Sequence, residues 1–147
     1  YAIYGGNCQN YVSQSLYAAG IPMEWSGNEQ WKWFDDEGDL SESPTGRSGS
    51  WSGTEYFYEY CNKNTGKGLV AETDGNIFSA QPGDVIQYVV DGWAHHSVIV
   101  SKVIYDDNGN VIDLLINSNT TDRVDYPMSA YGYTNIRLIK IIGYNDK

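Results

Sequence analysis

The C-terminal half of the chain contains four segments whose composition and spacing predict β-strands. They read "DVIQYVV", "HHSVIVSKVIY", "VIDLLIN" and "IRLIKII", and all are rich in β-branched residues. The first ends at Asp91-Gly92 and the second at "DDNG", which are typical of hairpin turns. Because strands joined by short turns pair antiparallel, the sequence predicts an antiparallel sheet.

A helix is predicted before this sheet, from about Cys8 to Ala19. Its inward-facing residues recur at intervals of three and four, namely Cys8, Tyr11, Val12, Ser15, Leu16 and Ala19. Asn7 can cap the first turn, and Gly20 can end the helix. A helix followed by strands indicates an α+β fold, and Cys8 then lies in the first helical turn.

The stretch from about Met23 to Pro82 is rich in Gly, Ser, Asp and Glu, and is predicted to be mostly loop. One helix is expected within it, because Ser52 and Glu55 have the spacing of a capping box ahead of "YFYEYC". The rest is expected to wrap the core or to form one wall of a cleft.

Length and composition limit the classes of protein. A chain of 147 residues suits one domain, 1–147, and its start at a tyrosine leads us to expect excision from a longer chain. Nine basic against 19 acidic residues give a net charge of −10, which disfavours nucleic-acid binding. No apolar run reaches the roughly 18 residues of a membrane span. Two cysteines and two histidines make no familiar zinc pattern, so no metal is expected.

Cys8 has three interpretations: a nucleophile, a buried structural thiol, or one half of a disulfide with Cys61. The first turn of a helix offers unpaired N–H groups and the positive end of the macrodipole, and both favour the thiolate. This placement suits a nucleophile, provided that a base lies nearby.

Two adjacent histidines are candidates for that base. Strand alternation sends His95 and His96 to opposite faces, and His96 shares the more apolar face with Val98 and Val100. We therefore predict that His96 faces the thiol, with an ordinary core histidine as the alternative.

Asn119 is the candidate to orient the imidazole. If the turn at "DDNG" contains two or four residues, Asn119 lies on the face of His96, and with four residues it is directly opposite. Asn117 is the second candidate on that face, and a three-residue turn would break the argument. Asn119-Thr120-Thr121 is also an N-glycosylation sequon, which would instead indicate a surface loop.

Several of these segments resemble one family in order along nearly the whole chain. "NCQNYVSQSLYAAGIP" resembles the "DCTNFVSQ-L-AGG" signature of the putative amidase domain family, related to the NlpC/P60 group of papain-like cysteine peptidases. "RSGSWSGTEYFYEYC", "QPGDVIQY", "WAHHSVIVSKV", "NSNTTDR" and "IRLIKI" resemble its later motifs. The resemblance implies a papain-like, NlpC/P60-type α+β fold, in which the N-terminal helix carrying the cysteine packs on the antiparallel sheet.

The resemblance also implies the catalytic residues, with Cys8 as nucleophile and His96 as base. Asn7 stands where the family usually has Asp, and Asn119 stands where it commonly has His before "T-DR". The implied arrangement is therefore Cys-His-Asn, which papain-like enzymes use.

Three further residues are expected to serve this site. The Cys8 backbone N–H and Tyr4 are the candidate donors to an oxyanion. Trp51 and Trp93 are expected to line the cleft that binds substrate, although tryptophans in loops also form small cores.

The function implied by the resemblance is hydrolysis of an amide bond in bacterial cell-wall peptidoglycan, by an amidase or a stem-peptide endopeptidase that is secreted or wall-associated and needs no cofactor. Two alternatives stay open. One is a catalytically inert, aromatic-rich wall-binding module on the same fold, favoured if Cys8 is buried or paired with Cys61. The other is an acyltransferase that uses the same thiol. The oligomeric state is not indicated.

Overall fold

The computed structural model describes residues 7–26, 29–33, 47–119, 121–132 and 134–147. Within them the chain forms an α+β structure with three α-helices, six strands and two short 3₁₀ segments. The helices are α1 (Cys8–Ala18), α2 (Gly49–Ser52) and α3 (Thr54–Lys63). The strands are β1 (Gly68–Gly75), β2 (Val85–Val90), β3 (Trp93–Tyr105), β4 (Val111–Ser118), β5 (Arg123–Pro127) and β6 (Ile136–Asn145). None of the described helices is long and apolar enough to cross a membrane.

The sheet is antiparallel, with the strand order β1-β6-β2-β3-β4-β5. The four predicted strands are confirmed as β2, β3, β4 and β6. Two strands were not predicted: β1, which lies in the stretch predicted to be loop, and β5. Both are edge strands with few buried side chains, so the backbone pairing that forms them leaves a weak apolar pattern in the sequence.

The predicted helix near the N-terminus is confirmed as α1, and its C-terminal end follows the Schellman pattern. Gly20 has φ +107°, a conformation that glycine adopts without a Cβ penalty. The N–H of Gly20 donates to the carbonyl of Tyr17, and the N–H of Ile21 donates to the carbonyl of Leu16. These two bonds satisfy carbonyls that the end of the helix would otherwise leave unpaired.

The predicted capping box is not formed, although the helix predicted to follow it exists as α3. α3 begins at Thr54 after Gly53, no side chain caps it, and Ser52 is the last residue of α2. The Glu55 carboxylate instead accepts hydrogen bonds from Arg137 on β6 and from the backbone of β3. A carboxylate with distant partners is not available to cap its own helix.

Buried apolar residues of the described segments form one cluster on each face of the sheet. Neighbouring residues of one strand belong to different clusters, as Val85 and Ile86 do in β2. The first cluster includes Val12 and Leu16 of α1 and Phe57 of α3. The second lies on the opposite face, so the body of α1 packs against the first face only.

The hairpin between β2 and β3 turns through Asp91 and Gly92, as the sequence predicts. Val90 pairs with Trp93, and φ is +52° at Asp91 and +77° at Gly92. Positive φ at both central residues defines a type I′ turn, whose twist matches that of the strands.

Gly68, at the start of β1, combines a positive φ with close neighbours. Its φ is +104°, and an added Cβ would lie 2.7 Å from the Tyr60 hydroxyl and 3.0 Å from the Cβ of Glu24. We expect Gly68→Ala to lower the free energy of unfolding by about 2–4 kcal/mol, from backbone strain plus overpacking, as measured by urea denaturation. Gly109→Ala is the matched control, since its φ is +82° and nothing lies within 4 Å of an added Cβ. Equal losses in the two variants would show that the crowding at Gly68 costs nothing.

Candidate active site

Cys8 is the first residue of α1, and its side chain is buried, with 7% of the residue exposed. The preceding Asn7 does not cap the helix with its side chain, contrary to the prediction. Its Nδ2 donates to Asn119 Oδ1 at 2.9 Å, and its Oδ1 accepts from Asn10 Nδ2 at 2.8 Å. The first turn of α1 is therefore tied to the turn that follows β4.

His96 lies near the start of β3, on the face of the second cluster. It pairs with Tyr88 of β2, and the two rings stack with centroids 5.8 Å apart. The ring of Tyr131 lies 5.6 Å from the imidazole. His95 is the extra residue of a β-bulge in this pairing and is exposed, so His96 is the more buried of the two histidines.

The environment of His96 lowers the pKa of its imidazole below the ordinary value of 6.5. Burial is the larger cause, because it disfavours the charged form, and the positive charge of Arg123 acts in the same direction. The ring is therefore neutral at pH 7, the state in which it can accept a proton.

Asn119 does not hold the imidazole, so the predicted hydrogen bond to His96 is wrong for this structure. Its Oδ1 accepts from Asn7, and its Nδ2 donates to Asp122 at 2.9 Å. The second candidate, Asn117, accepts a hydrogen bond through Oδ1 from the backbone N–H of Asp125.

The register of β3 and β4 explains this outcome. Tyr105 pairs with Val111 across the five residues 106–110, and two register shifts follow, after which Ile99 pairs with Asn117. Continued by two residues, that register places Asn119 level with Ser97 instead of His96. The two shifts cancel, so the pairing of Ile99 with Asn117 keeps the register that the five-residue turn sets, and this odd turn length puts Asn119 on the face opposite His96.

Cys8, His96 and Asn119 nevertheless lie at the same end of the sheet. β3 begins where the antiparallel β4 ends, and Asn119 is the residue after β4. The contacts described for the His96 ring include neither Cys8 nor Asn119. The structure thus brings the three residues to one end of the sheet.

The three other predicted site residues have different outcomes. Tyr4 lies outside the described residues. Trp51 is only 1% exposed and packs on Trp31 with ring centroids 4.7 Å apart, so it is a core residue and its predicted contact with substrate is corrected. Trp93 is 48% exposed, with its ring edge-to-face with Tyr56, and its role in binding stays a prediction.

The possible disulfide between the two cysteines is not formed. Cys8 and Cys61 are both buried, and no disulfide joins them. Burial raises the pKa of the Cys61 thiol far above its ordinary value, so this residue is a poor nucleophile. In the described part of the chain, no group of three or more His, Cys, Asp and Glu residues could hold a metal ion.

The start of α3 holds the backbone of β3 next to the histidines. Thr54 Oγ1 donates to the Ala94 carbonyl at 2.5 Å, and the Ala94 N–H donates to Glu55 Oε2 at 2.8 Å. Gln87 Nε2 donates to the Thr54 carbonyl and to Ser97 Oγ. This network was not predicted from the sequence, in which the only indication of it is a glutamine inside the apolar "VIQYVV".

Glu55 and Arg137 form an ion pair at 3.1 Å with little exposure, 9% and 18% of the two side chains. We expect Arg137→Met to lower the free energy of unfolding by about 1–3 kcal/mol, because the Glu55 carboxylate loses its charged partner. A double-mutant cycle with Glu55→Gln, followed by urea denaturation, measures the coupling. Lys63→Gln breaks the exposed pair with Glu59 and is the control, with an expected loss below about 0.5 kcal/mol. A coupling no larger than this control would contradict the role of the pair.

The lowered pKa of His96 predicts a pH dependence of stability. Because the unfolded chain binds the proton at this position more readily, the contribution is complete above pH 6.5 and is lost as the pH falls from 6.5 through the lower native pKa. His96→Gln should flatten this part of the profile of unfolding free energy against pH. His95→Gln, at the exposed neighbour, should leave it unchanged, and a flattening there instead would assign the effect to the wrong histidine.

The chain belongs to a family of amidase domains: the family model described as "Putative amidase domain" matches residues 1–142. This membership indicates amide hydrolysis. Among curated proteins, "Uncharacterized protein YhbB" of Bacillus subtilis (strain 168) is 30% identical over 125 residues. The match covers 83% of this chain and 36% of the relative, so the chain spans about a third of the relative's length. No solved structure matches the chain, and the papain-like, NlpC/P60-type fold therefore stays a prediction from the motifs.

Proposed function

We propose that this domain is a cysteine-dependent hydrolase that cleaves an amide bond of bacterial cell-wall peptidoglycan, in a secreted or wall-associated protein. The observation that carries the proposal is the position of the Cys8 thiol, in the first turn of α1 and at the end of the sheet where a neutral His96 lies. Family membership supports amide hydrolysis, whereas the choice of peptidoglycan rests on the resemblance of motifs.

The proposed reaction proceeds through a thioester. His96 accepts the proton of Cys8, and Sγ attacks the amide carbonyl. His96 then donates the proton to the amine as the C–N bond breaks. A water molecule, deprotonated by His96, attacks the thioester, and cleavage of the C–S bond releases a carboxylic acid and restores the thiol.

The start of α1 supplies donors for the oxyanion of both tetrahedral intermediates. The first N–H groups of a helix have no acceptor within the helix, and the helix macrodipole favours negative charge there. The backbone N–H of Cys8 is the proposed donor, with Tyr4 as the proposed second donor.

We assign Asn119 a positioning role instead of direct contact with His96. Its amide oxygen holds Asn7, the residue before the nucleophile, and its amide nitrogen is bonded to Asp122. Asn119→Ala should therefore slow alkylation of Cys8 without shifting the pKa of His96. An asparagine that oriented the imidazole would instead change that pKa.

Catalysis requires the Cys8 sulfur to come within hydrogen-bond reach of the imidazole. Such bonds often tighten only when substrate binds. Since α1 reaches this end of the sheet through the Asn7–Asn119 bond, the proposal predicts that substrate draws its first turn toward the start of β3.

The test is alkylation of the folded domain with iodoacetamide across pH, with Cys8 and Cys61 quantified separately by mass spectrometry. We expect Cys8 to react at pH values where a free thiol is protonated, because the start of α1 favours its thiolate, and Cys61 to react slowly, because burial raises the pKa of its thiol. His96→Ala should remove the acid part of the Cys8 profile, and His95→Ala should preserve it. Slow alkylation of Cys8 at all pH values would overturn the proposed nucleophile.

Turnover of peptidoglycan fragments provides the second readout. Cys8→Ala and His96→Ala should each lower kcat by about a thousandfold or more, whereas Cys61→Ala should leave kcat unchanged if the fold is intact. Full activity of Cys8→Ala would remove the mechanism. Conjugates formed with an added amine would show acyl transfer to that amine in place of hydrolysis.

An inert wall-binding module is the second candidate function, and two observations favour it. Cys8 is buried, as expected for this alternative, and Tyr56 and Trp93 form an exposed aromatic pair of the kind that stacks on sugars. Sedimentation with purified peptidoglycan tests it. Loss of binding in Trp93→Ala, in a protein without turnover, would favour the module.

A further inference from the structure

The guanidinium of Arg123, at the start of β5, lies over aromatic rings. Its Cζ is 3.9 Å from the centroid of the Tyr126 ring and 5.5 Å from that of Tyr131. Such stacking uses the planar face of the guanidinium. The N–H donors lie in the plane of the group, so stacking leaves them free to bind a carboxylate through two parallel hydrogen bonds.

Arg123 has no carboxylate partner among the described residues. The three ion pairs found there involve Lys63, Arg137 and Lys140, each within 4.0 Å of a carboxylate. The two acidic residues nearest in sequence are engaged elsewhere, because Asp122 accepts from Asn119 and Asp125 accepts from Ser101.

Among the described residues, Lys67, Lys102 and Lys147 also lack an ion pair but are exposed, whereas Arg123 is partly buried. There are 19 acidic residues against nine basic ones, so an internal partner would be easy to supply. None of the described carboxylates pairs with Arg123, which lies beside the candidate active site.

Arg123 is close to the proposed catalytic residues through two sets of contacts. Tyr131, whose ring it approaches, is also the ring 5.6 Å from His96. Asn119, four residues earlier in the chain, holds the residue before Cys8. A substrate carboxylate bound at Arg123 would therefore lie close to the substrate amide bond that Cys8 attacks.

From this juxtaposition we infer that Arg123 binds a carboxylate of the substrate and so selects amides that carry a negative charge near the bond to be cleaved. The inference deepens the proposed function and rests on it for the identity of the substrate as an amide. Binding at Arg123 itself requires no reaction and can be measured separately.

Binding of a carboxylate has a measurable consequence at His96. The groups around the imidazole are the phenols of Tyr88 and Tyr131 and the charge of Arg123. A carboxylate paired with Arg123 offsets that charge and raises the pKa of His96. By linkage, the carboxylate binds more tightly when His96 is protonated.

The experiment is an NMR titration of the histidine ring protons in the Cys8→Ala variant, with and without N-acetylglutamate. His95→Gln assigns the two histidine signals. N-acetylglutamine amide is the neutral control probe. We expect the acid to raise the pKa of His96 and the neutral amide to leave it unchanged.

Arg123→Gln should raise the pKa of His96 without any ligand, abolish its response to N-acetylglutamate, and weaken binding by about tenfold or more. Lys67→Gln removes one exposed positive charge elsewhere and should bind as the parent does. The inference is overturned if Arg123→Gln still responds, if the neutral amide acts like the acid, or if inorganic phosphate binds as tightly as N-acetylglutamate. Because Cys8 is absent from this experiment, failure of the proposed hydrolysis would leave the result intact.

Discussion

The hydrogen bonds between the start of α3 and the backbone of Ala94 determine where β3 begins, and with it the position of the histidines. Glu55 accepts from the Ala94 N–H and from Arg137 on β6, so one carboxylate joins a helix to two strands. The next residue, His95, forms the bulge in the pairing of β3 with β2. Because a bulge re-aims the residues around it, the ring of His96 stacks on Tyr88 while His95 points to solvent.

A second connection brings the nucleophile candidate to this end of the sheet. The Asn7–Asn119 hydrogen bond joins the first turn of α1 to the turn after β4, although the body of α1 packs on the first face and His96 lies on the other. The thiol and the imidazole can therefore come into contact only at this end of the sheet. Loss of the Asn7–Asn119 hydrogen bond would free the start of α1, on which the proposed chemistry depends.

The electrostatics of the site differ from those of the whole chain. The net charge is −10, yet the charge that acts on His96 is the positive charge of Arg123. Burial and this cation together keep the imidazole neutral, which a general base near pH 7 requires. The same cation is held by Tyr126 and lacks an acidic partner among the described residues, which is why we infer that the site binds anionic ligands.

The sequence by itself determined α1, the four apolar strands and the turn at Asp91-Gly92, because apolar periodicity and glycine positions are local properties of the chain. It also placed Cys8 at a helix start and showed His96 to be the more buried histidine. Only the tertiary structure decided the partners of polar side chains: Glu55 binds Arg137 instead of capping α3, and Asn119 binds Asn7 instead of His96. The tertiary structure also decided the edge strands and the bulges, because backbone pairing with distant strands creates them. The identity of a distant partner leaves no periodic signal in the sequence.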